Sequence, residues 1–204
     1  FHTGYFDLST AWDLGQYNQL IWNSLHGRLL EGSFVLDTRT FLGKSFTPIL
    51  LAFVPLYAVW SDPRVLLIVQ VVALGIGAFP LYWCARARIG RPLALVLGFA
   101  YLLSPAVANI GLTEFHEIAL ATPLLAFATF FLLRRQYPGF CASLAVALLV
   151  KEEIAFSASA FGAYIFLLQR KRVLGFTLVL FGAVWIAVLL QSVIPFFRGA
   201  EYGS

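Results

Sequence analysis

The chain has 204 residues, of which 60% are hydrophobic and 12% are charged, and its net charge is +4. Its mean hydropathy is +0.84. A soluble domain carries about 25% charged residues, so this composition excludes an ordinary soluble globular protein. It predicts an all-α, polytopic membrane protein with membrane lipids, and no nucleic acid, as partners. The two cysteines, Cys84 and Cys141, have no spacing typical of a metal or redox site.

The N-terminal region, residues 1–64, is the least apolar part of the chain. From Asp13 it predicts an amphipathic helix that stops near Gly27. The apolar stripe of this helix has helical spacing and consists of Leu14, Tyr17, Leu20, Ile21 and Leu25. Asp13 is predicted to be the N-cap residue, with Gln16 three residues later as in a capping box. A carboxylate at this positive helix end stays ionised, as a general base or metal ligand requires. Taken alone, this pattern favours the purely structural capping role of Asp13 over a catalytic one.

Six later segments are apolar enough to predict transmembrane helices, namely 65–84, 92–111, 118–133, 138–150, 154–169 and 173–197. A crossing helix needs about 20 apolar residues, so three of these segments are short. Gln70 lies within an apolar run and is predicted to bond to a neighbouring helix. The segment 47–60 is short and contains two prolines, and we expect it to lie along the outer interface without crossing.

Basic residues determine the predicted orientation. Arginine and lysine, without any acid, occupy the connections 86–91, 134–135 and 170–172. The positive-inside rule places these connections on the cytoplasmic side of a prokaryotic plasma membrane. The charged turns 114–117 and 151–153 then share the outer face with the N-terminal loop.

This orientation divides the chain into three parts. Residues 1–64 form an extracytoplasmic loop with juxtamembrane helices, 65–197 form a bundle of about six transmembrane helices, and 198–204 begin an outer loop. We expect the chain to be a fragment of a longer protein. The helices beside the turn 151–153 are short, so its charges either reach into a cavity or form a solvated turn.

Several segments, taken together and in this order, resemble a family of bacterial and archaeal membrane proteins called domain of unknown function 2079. They are WDLGQYNQLIWNSLHG (12–27), FTPILLAFVPLY (46–57), the span with Gln70, YLLSPA (101–106), EFHE (114–117) and KEE (151–153). That family is similar to the GT-C class of glycosyltransferases, multispan enzymes that take sugars from polyprenyl-phosphate carriers at the outer membrane face. The resemblance implies a GT-C-like fold, a lipid-linked sugar donor and a catalytic acid in the first outer loop, where Asp13 lies.

The resemblance also implies roles for the neighbouring residues. Asp13 would deprotonate the acceptor hydroxyl, and Lys151 would offset the negative charge of the departing lipid phosphate. Trp12 would contact a sugar ring. A histidine commonly stands just before the FxP element in the family, and here Ser45 takes its place, with Lys44 beside it. If that histidine binds a metal or phosphate in relatives, this chain either manages without it or uses Lys44.

His116, together with Glu117 or Glu152, would position the acceptor or help to hold a divalent cation. The missing histidine leaves metal dependence open. Two other functions also stay open. A noncatalytic membrane scaffold would use the charged turns as salt bridges between helix ends, and a proton-coupled transporter would use them as a relay.

Overall fold

The computed structural model describes residues 12–34, 38, 40–112 and 114–199 of the chain. Within these ranges the secondary structure is helical, apart from one isolated bridge between Glu31 and Thr40. This confirms the all-α, polytopic membrane fold. Asp7, which we regard as a weaker catalytic candidate than Asp13, lies outside the described residues, as do residues 200–204 of the predicted outer loop 198–204; residues 198 and 199 are helical.

The predicted amphipathic helix is α1, Trp12–Leu25. Its apolar stripe is confirmed, because Leu20 and Ile21 are fully buried and Leu14 is nearly so. Gly27 follows with a φ of 80°, a left-handed conformation that glycine adopts without steric cost. α1 therefore uses one face to bind the rest of the chain.

The segment after α1 forms short helices that pack against it. Phe41–Gly43 is a single 3-10 turn, and Pro48–Phe53 is a 3-10 helix that continues directly into α2, Val54–Val59. The Tyr57 hydroxyl of α2 donates a hydrogen bond of 3.0 Å to the Asn18 side chain of α1. Twelve residues extend about 18–24 Å at helical rises, which is too short to cross a hydrocarbon core of about 30 Å.

Two helices in the described part of the chain are long and apolar enough to cross a membrane. The first, Arg64–Ile89, combines α3 (Arg64–Ile76) and α4 (Ala78–Ile89). The second, Arg172–Gly199, combines α10 (Arg172–Val188), a π-helical turn (Leu189–Val193) and α11 (Ile194–Gly199). α5 (Arg91–Leu102) and α6 (Pro105–Leu112) meet at a bend of 47°, and this pair makes a third crossing if it is one broken span.

The remaining helices are apolar but shorter than a full crossing. They are α7 (Ala121–Leu133) with the 3-10 turn Glu117–Leu120 before it, α8 (Tyr137–Ala147) and α9 (Ile154–Leu167). Each of the six predicted segments is thus helical, and the three predicted to be short are short. The number of segments that cross the bilayer stays a prediction.

The two ends of the helical bundle carry different charges. At the polar end, which we define by residues 12–17, 44–46, 114–117 and 151–153, helix starts and turns from distant parts of the sequence touch one another. At the arginine end, defined by residues 86–91, 134–135 and 170–172, the predicted basic connections lie together. For example, the Tyr137 hydroxyl bonds to Gln169 at 3.0 Å, and the Lys171 ammonium lies 4.2 Å from the centre of the Tyr137 ring.

Helices α9 and α10 make the closest helix contact of the described chain. A β-carbon on Gly162 would come within 2.6 Å of the Val179 backbone nitrogen, and one on Gly175 within 2.5 Å of the Phe166 nitrogen. In a lipid environment, where apolar surface gains little by leaving the solvent, such small residues let helix backbones approach and pack. The contact fixes the turn that precedes α9 relative to the last long helix.

We predict that Gly162→Ala destabilises the protein by about 1–3 kcal/mol, because the new methyl group meets backbone atoms that have no free space to move into. Gly75→Ala in α3 is the matched control, since a β-carbon there meets nothing within 4 Å. That control should be neutral or slightly stabilising, because alanine favours helix more than glycine. Thermal unfolding of the purified protein in detergent measures both changes, and equal melting temperatures for the two variants would contradict the packing described here.

Candidate functional site

The centre of the polar end is the carboxylate of Glu117, which is only 5% exposed. Its Oε1 lies 3.2 Å from the Lys151 ammonium, and its Oε2 accepts a hydrogen bond from the Tyr17 hydroxyl. A buried carboxylate is tolerated when a charge and hydrogen bonds compensate it. These two partners come from α1 and from the turn between α8 and α9, so the Glu117 carboxylate joins three segments that are distant in the sequence.

The protonation states of these partners are set by their surroundings. Burial raises the pKa of the Tyr17 phenol well above its ordinary value of 10.0, and the nearby charges of Glu117 and Asp13 raise it further. Burial lowers the pKa of Lys151, but the Glu117, Glu153 and Glu152 carboxylates outweigh this effect, so that the net pKa is raised above 10.5. At neutral pH, Tyr17 is therefore a hydrogen-bond donor and Lys151 is a cation.

Asp13 lies at the start of α1, but it is not the N-cap residue. The helix already includes Trp12, and the Asp13 backbone N–H donates a 2.9 Å hydrogen bond to the carboxylate of Glu114. The predicted capping role is therefore wrong for Asp13, and Glu114 instead satisfies this end of the helix from 101 positions away. Negative charge at a helix N-terminus is favourable wherever it comes from.

The Asp13 side chain is consequently free for other contacts. It is half-buried, and no described residue donates a hydrogen bond to it or forms an ion pair with it. It lies one helical turn before Tyr17, and residues four apart share a helix face. Trp12 beside it is 65% exposed. The start of α1 thus presents an uncompensated carboxylate and an open aromatic ring next to the Glu117 cluster.

Glu152 holds a neighbouring loop in place. Its carboxylate accepts hydrogen bonds from the Ser45 hydroxyl at 3.0 Å and from the Phe46 backbone N–H at 2.9 Å. One more bond, from the Ile49 N–H to the Leu149 carbonyl at 3.0 Å, ties the same loop to the end of α8. Glu152 is therefore engaged in structure, which leaves it little capacity to act on an acceptor.

Lys44 belongs to this loop and is exposed. Its ammonium lies 5.9 Å from the centre of the Phe41 ring, and that ring lies 6.0 Å from the ring of Tyr17. Lys44 and Lys151 both lie at the polar end, Lys44 beside Phe41 and Lys151 beside Glu117. Tyr17, one turn after Asp13 in α1, contacts both Phe41 and Glu117.

His116 is placed by its backbone. Its N–H donates a 2.7 Å hydrogen bond to the Gln70 side chain, which in turn donates to the carbonyls of Ile110 at 2.6 Å and Glu114 at 3.0 Å. The predicted interhelical role of Gln70 is thus confirmed. The imidazole is half-buried, and it makes no hydrogen bond to the described residues.

The expected divalent cation finds no ready ligand set among the described residues, where no three His, Cys, Asp or Glu side chains are close enough to hold one ion. Of the two predicted partners of His116, Glu117 is paired with Lys151 and Glu152 binds Ser45. Among the described residues, the polar end therefore offers no set of three ligands that fits a metal, and no chemical step is assigned to one.

Three contributors to the polar end were missed in the sequence. Tyr17 counted only as part of an apolar stripe, Ser45 only as a substitute for a histidine, and Glu114 only as a member of a charged turn. The hydroxyl of a tyrosine in an amphipathic stripe is a weak signal, because its partner lies 100 positions away. No local pattern could have identified Glu114 as the cap of α1.

Comparison with known proteins agrees with this architecture. A family model described as "Predicted membrane protein (DUF2079)" matches residues 4–204. The chain belongs to the DUF2079 family. Neither the search of curated proteins nor the search of solved structures found a match. The DUF2079 description establishes a membrane protein and states no activity, so the function of the polar end is argued from its residues.

We predict that Glu117→Gln lowers the free energy of unfolding by about 1–3 kcal/mol, because it leaves the Lys151 ammonium and the Tyr17 hydroxyl without their charged partner. Combining Glu117→Gln with Lys151→Met should restore part of this loss, as expected for two residues that interact directly. Glu153→Gln is the matched control: Glu153 is exposed in the same turn, so its loss should change stability by no more than about 0.5 kcal/mol. Strictly additive effects of the two changes would contradict the ion pair.

The same pair predicts a pH dependence. Because the folded-state pKa of Lys151 is raised, its stabilising contribution is fully present below the ordinary lysine pKa of 10.5 and is lost as pH rises through the folded-state value. The difference in unfolding free energy between the unmodified chain and Lys151→Met should therefore be constant at neutral pH and shrink only in strong alkali. Denaturant unfolding at a series of pH values measures it, and a difference that disappears near neutral pH would count against this assignment.

Proposed function

We propose that the chain transfers a sugar from a polyprenyl-phosphate donor to an acceptor hydroxyl at the outer face of a prokaryotic plasma membrane. The observation that carries the proposal is the uncompensated carboxylate of Asp13. It is held at a helix start and has no partner among the described residues, whereas Glu114, Glu152 and Glu117 are each bonded or ion-paired. A carboxylate that the fold leaves without a partner can take a proton from a substrate hydroxyl that comes within hydrogen-bond reach.

Asp13 acts as the general base in this proposal. The acceptor hydroxyl gives its proton to the Asp13 carboxylate as its oxygen attacks the anomeric carbon of the donor sugar. The bond between that carbon and the lipid phosphate oxygen breaks, and the phosphate leaves with the electron pair. Trp12, exposed beside Asp13, offers an apolar ring face on which a sugar packs.

Lys151 and Lys44 stabilise the departing lipid phosphate. Lys151 donates one of its three N–H groups towards Glu117, which leaves two for a phosphate oxygen. Its raised pKa keeps it charged. Lys44, exposed at the same polar end, contacts a second phosphate oxygen in this proposal. Positive charge fixed where negative charge develops is among the strongest contributions to catalysis.

The acids around these residues have supporting roles. Glu117 positions Lys151, and Glu152 positions the loop that bears Lys44. His116, whose imidazole makes no bond to the described residues, is left to contact the acceptor. This assignment differs from the expectation that Glu117 or Glu152 meets the acceptor directly, because both of these carboxylates already have partners inside the protein.

We predict that Asp13→Asn lowers kcat for sugar transfer by about 10²- to 10⁴-fold, the usual contribution of a general base. Stability should not fall, because Glu114 and not the Asp13 side chain satisfies the start of α1. The measurement uses the full-length protein in liposomes that contain polyprenyl-phosphate-linked sugars, with transfer to acceptor followed by mass spectrometry.

Asp62→Asn provides the matched control, since Asp62 is a half-buried acid near the start of α3 whose carboxylate bonds to the Arg64 N–H. It should leave transfer unchanged. A full-length protein that transfers sugar equally well with Asp13→Asn and with Lys151→Met would exclude the mechanism proposed here.

A noncatalytic scaffold is the second candidate, and one observation favours it. The bonds from Tyr17 to Glu117, from Lys151 to Glu117 and from Ser45 to Glu152 join helix ends, as a purely structural cluster would. The scaffold requires that Glu117→Gln unfolds the polar end while Asp13→Asn has no consequence for any substrate. The transferase also allows Glu117→Gln to lower stability, but it requires that Asp13→Asn loses most sugar transfer while the protein stays folded, so Asp13→Asn distinguishes the two proposals.

A further inference from the structure

A groove between α7 and α9 runs along the bundle towards the arginine end, from Leu125 and Ser157 to Leu133 and Tyr164. Its volume is about 290 Å³, and its lining is mainly apolar, with Leu125, Leu132 and Leu133 on α7 facing Ala160, Phe161 and Tyr164 on α9. Leu133 and Ala160 are exposed, so the groove reaches the lateral surface of the bundle. Phe161 also touches Phe140 of α8, with ring centres 5.5 Å apart, which closes the groove from behind.

The end of this groove is polar and positively charged. The Leu132 carbonyl accepts a 3.4 Å hydrogen bond from Gln169, and Gln169 accepts one from the Tyr137 hydroxyl. The next residues along α7 are Arg134 and Arg135, and the residue after Gln169 is Arg170. The three arginines are exposed. Apolar lining below exposed guanidinium groups matches the two parts of a lipid: an acyl chain and an anionic phosphate.

A second observation points to the same arginines. Arg135 and Arg170 adopt left-handed backbone conformations, with φ of 58° and 57°. Positions like these, just after a helix, are usually glycine, because a side chain there costs free energy. At Arg135 the usual helix-ending bonds are present, from Arg135 N–H to the Leu132 carbonyl and from Gln136 N–H to the Phe131 carbonyl. Each of these helices therefore keeps a charged residue where glycine would fit with less strain.

We propose that this groove binds an anionic phospholipid of the leaflet at the arginine end. One acyl chain lies between α7 and α9, and the phosphate is held by Arg135 and Arg170, whereas the Arg134 guanidinium lies 4.9 Å from the centre of the Phe130 ring, outside the groove lining. Guanidinium groups suit a phosphate because they combine charge with several directed N–H donors. Lys171 is less available, since its ammonium lies over the Tyr137 ring. The site is separate from the polar end and does not depend on the proposed reaction.

The test compares lipid binding by the full-length protein, purified in mild detergent, with phosphatidylglycerol and with phosphatidylcholine as probes. Native mass spectrometry gives the amount of lipid bound, and thermal unfolding gives the stabilisation. Arg135→Gly combined with Arg170→Gly should weaken phosphatidylglycerol binding by about 10- to 30-fold, the effect of two cations at a lipid surface. Without lipid, this variant should be as stable as the unmodified chain or more so, because glycine relieves both strained positions.

Two matched variants separate the groove from general positive charge. Arg86→Gln combined with Arg91→Gln removes the same charge from another connection at the arginine end and should weaken binding less than the first double variant, because these arginines lie outside the groove. Ala160→Phe fills the groove with no change in charge, and it should also weaken binding. The proposal is overturned if phosphatidylcholine binds as well as phosphatidylglycerol, if the two double variants lose binding equally, if Ala160→Phe binds normally, or if concentration-dependent dimerisation accounts for the stabilisation.

Discussion

The polar end of this protein depends on keeping the buried carboxylate of Glu117 compensated. An ionised acid removed from water is tolerated only with a charged or hydrogen-bonding partner at close range, and Glu117 has Tyr17 and Lys151. Since those residues stand 100 positions before it and 34 after it, their contact forces α1, the turn before α7 and the turn before α9 to meet. Glu152 adds a second tie of the same kind, from the α9 turn to the loop of Ser45 and Phe46.

The distribution of charge explains why the middle of the bundle can remain apolar. The helices pack there through shape, as at the close approach of α9 and α10 around Gly162, while ionic groups gather at the two ends. At the polar end most acids pair with a cation or accept hydrogen bonds, as Glu117, Glu114 and Glu152 do. Asp13 differs, since Glu114 satisfies the helix start on its behalf. Because the other carboxylates support the structure and the Asp13 carboxylate does not, Asp13 is the residue to which we assign the proton transfer.

Much of the architecture was predictable because hydropathy and charge act locally. The six helical segments, the short length of the three beside the charged turns, and the apolar stripe of α1 all follow from residue spacing in the sequence. Gln70 was also predictable, because an amide in an apolar run must find a partner, and it binds the turn of His116. The proximity of the charged turns to each other followed from the positions of the arginines. The individual bonds within that cluster could not be predicted from the sequence.

By itself, the sequence determined a helical membrane protein of the DUF2079 family with its acids and its basic connections in separate stretches. The tertiary structure alone decided that Glu114 caps α1, that Tyr17 reaches Glu117, that Glu152 holds the loop of Ser45, and that arginines border an apolar groove. The reason is the separation along the sequence over which each interaction acts. Hydrophobic periodicity is set by neighbours within a few residues, whereas a hydrogen bond or ion pair is set by the packing that brings residues a hundred positions apart within about 3 Å.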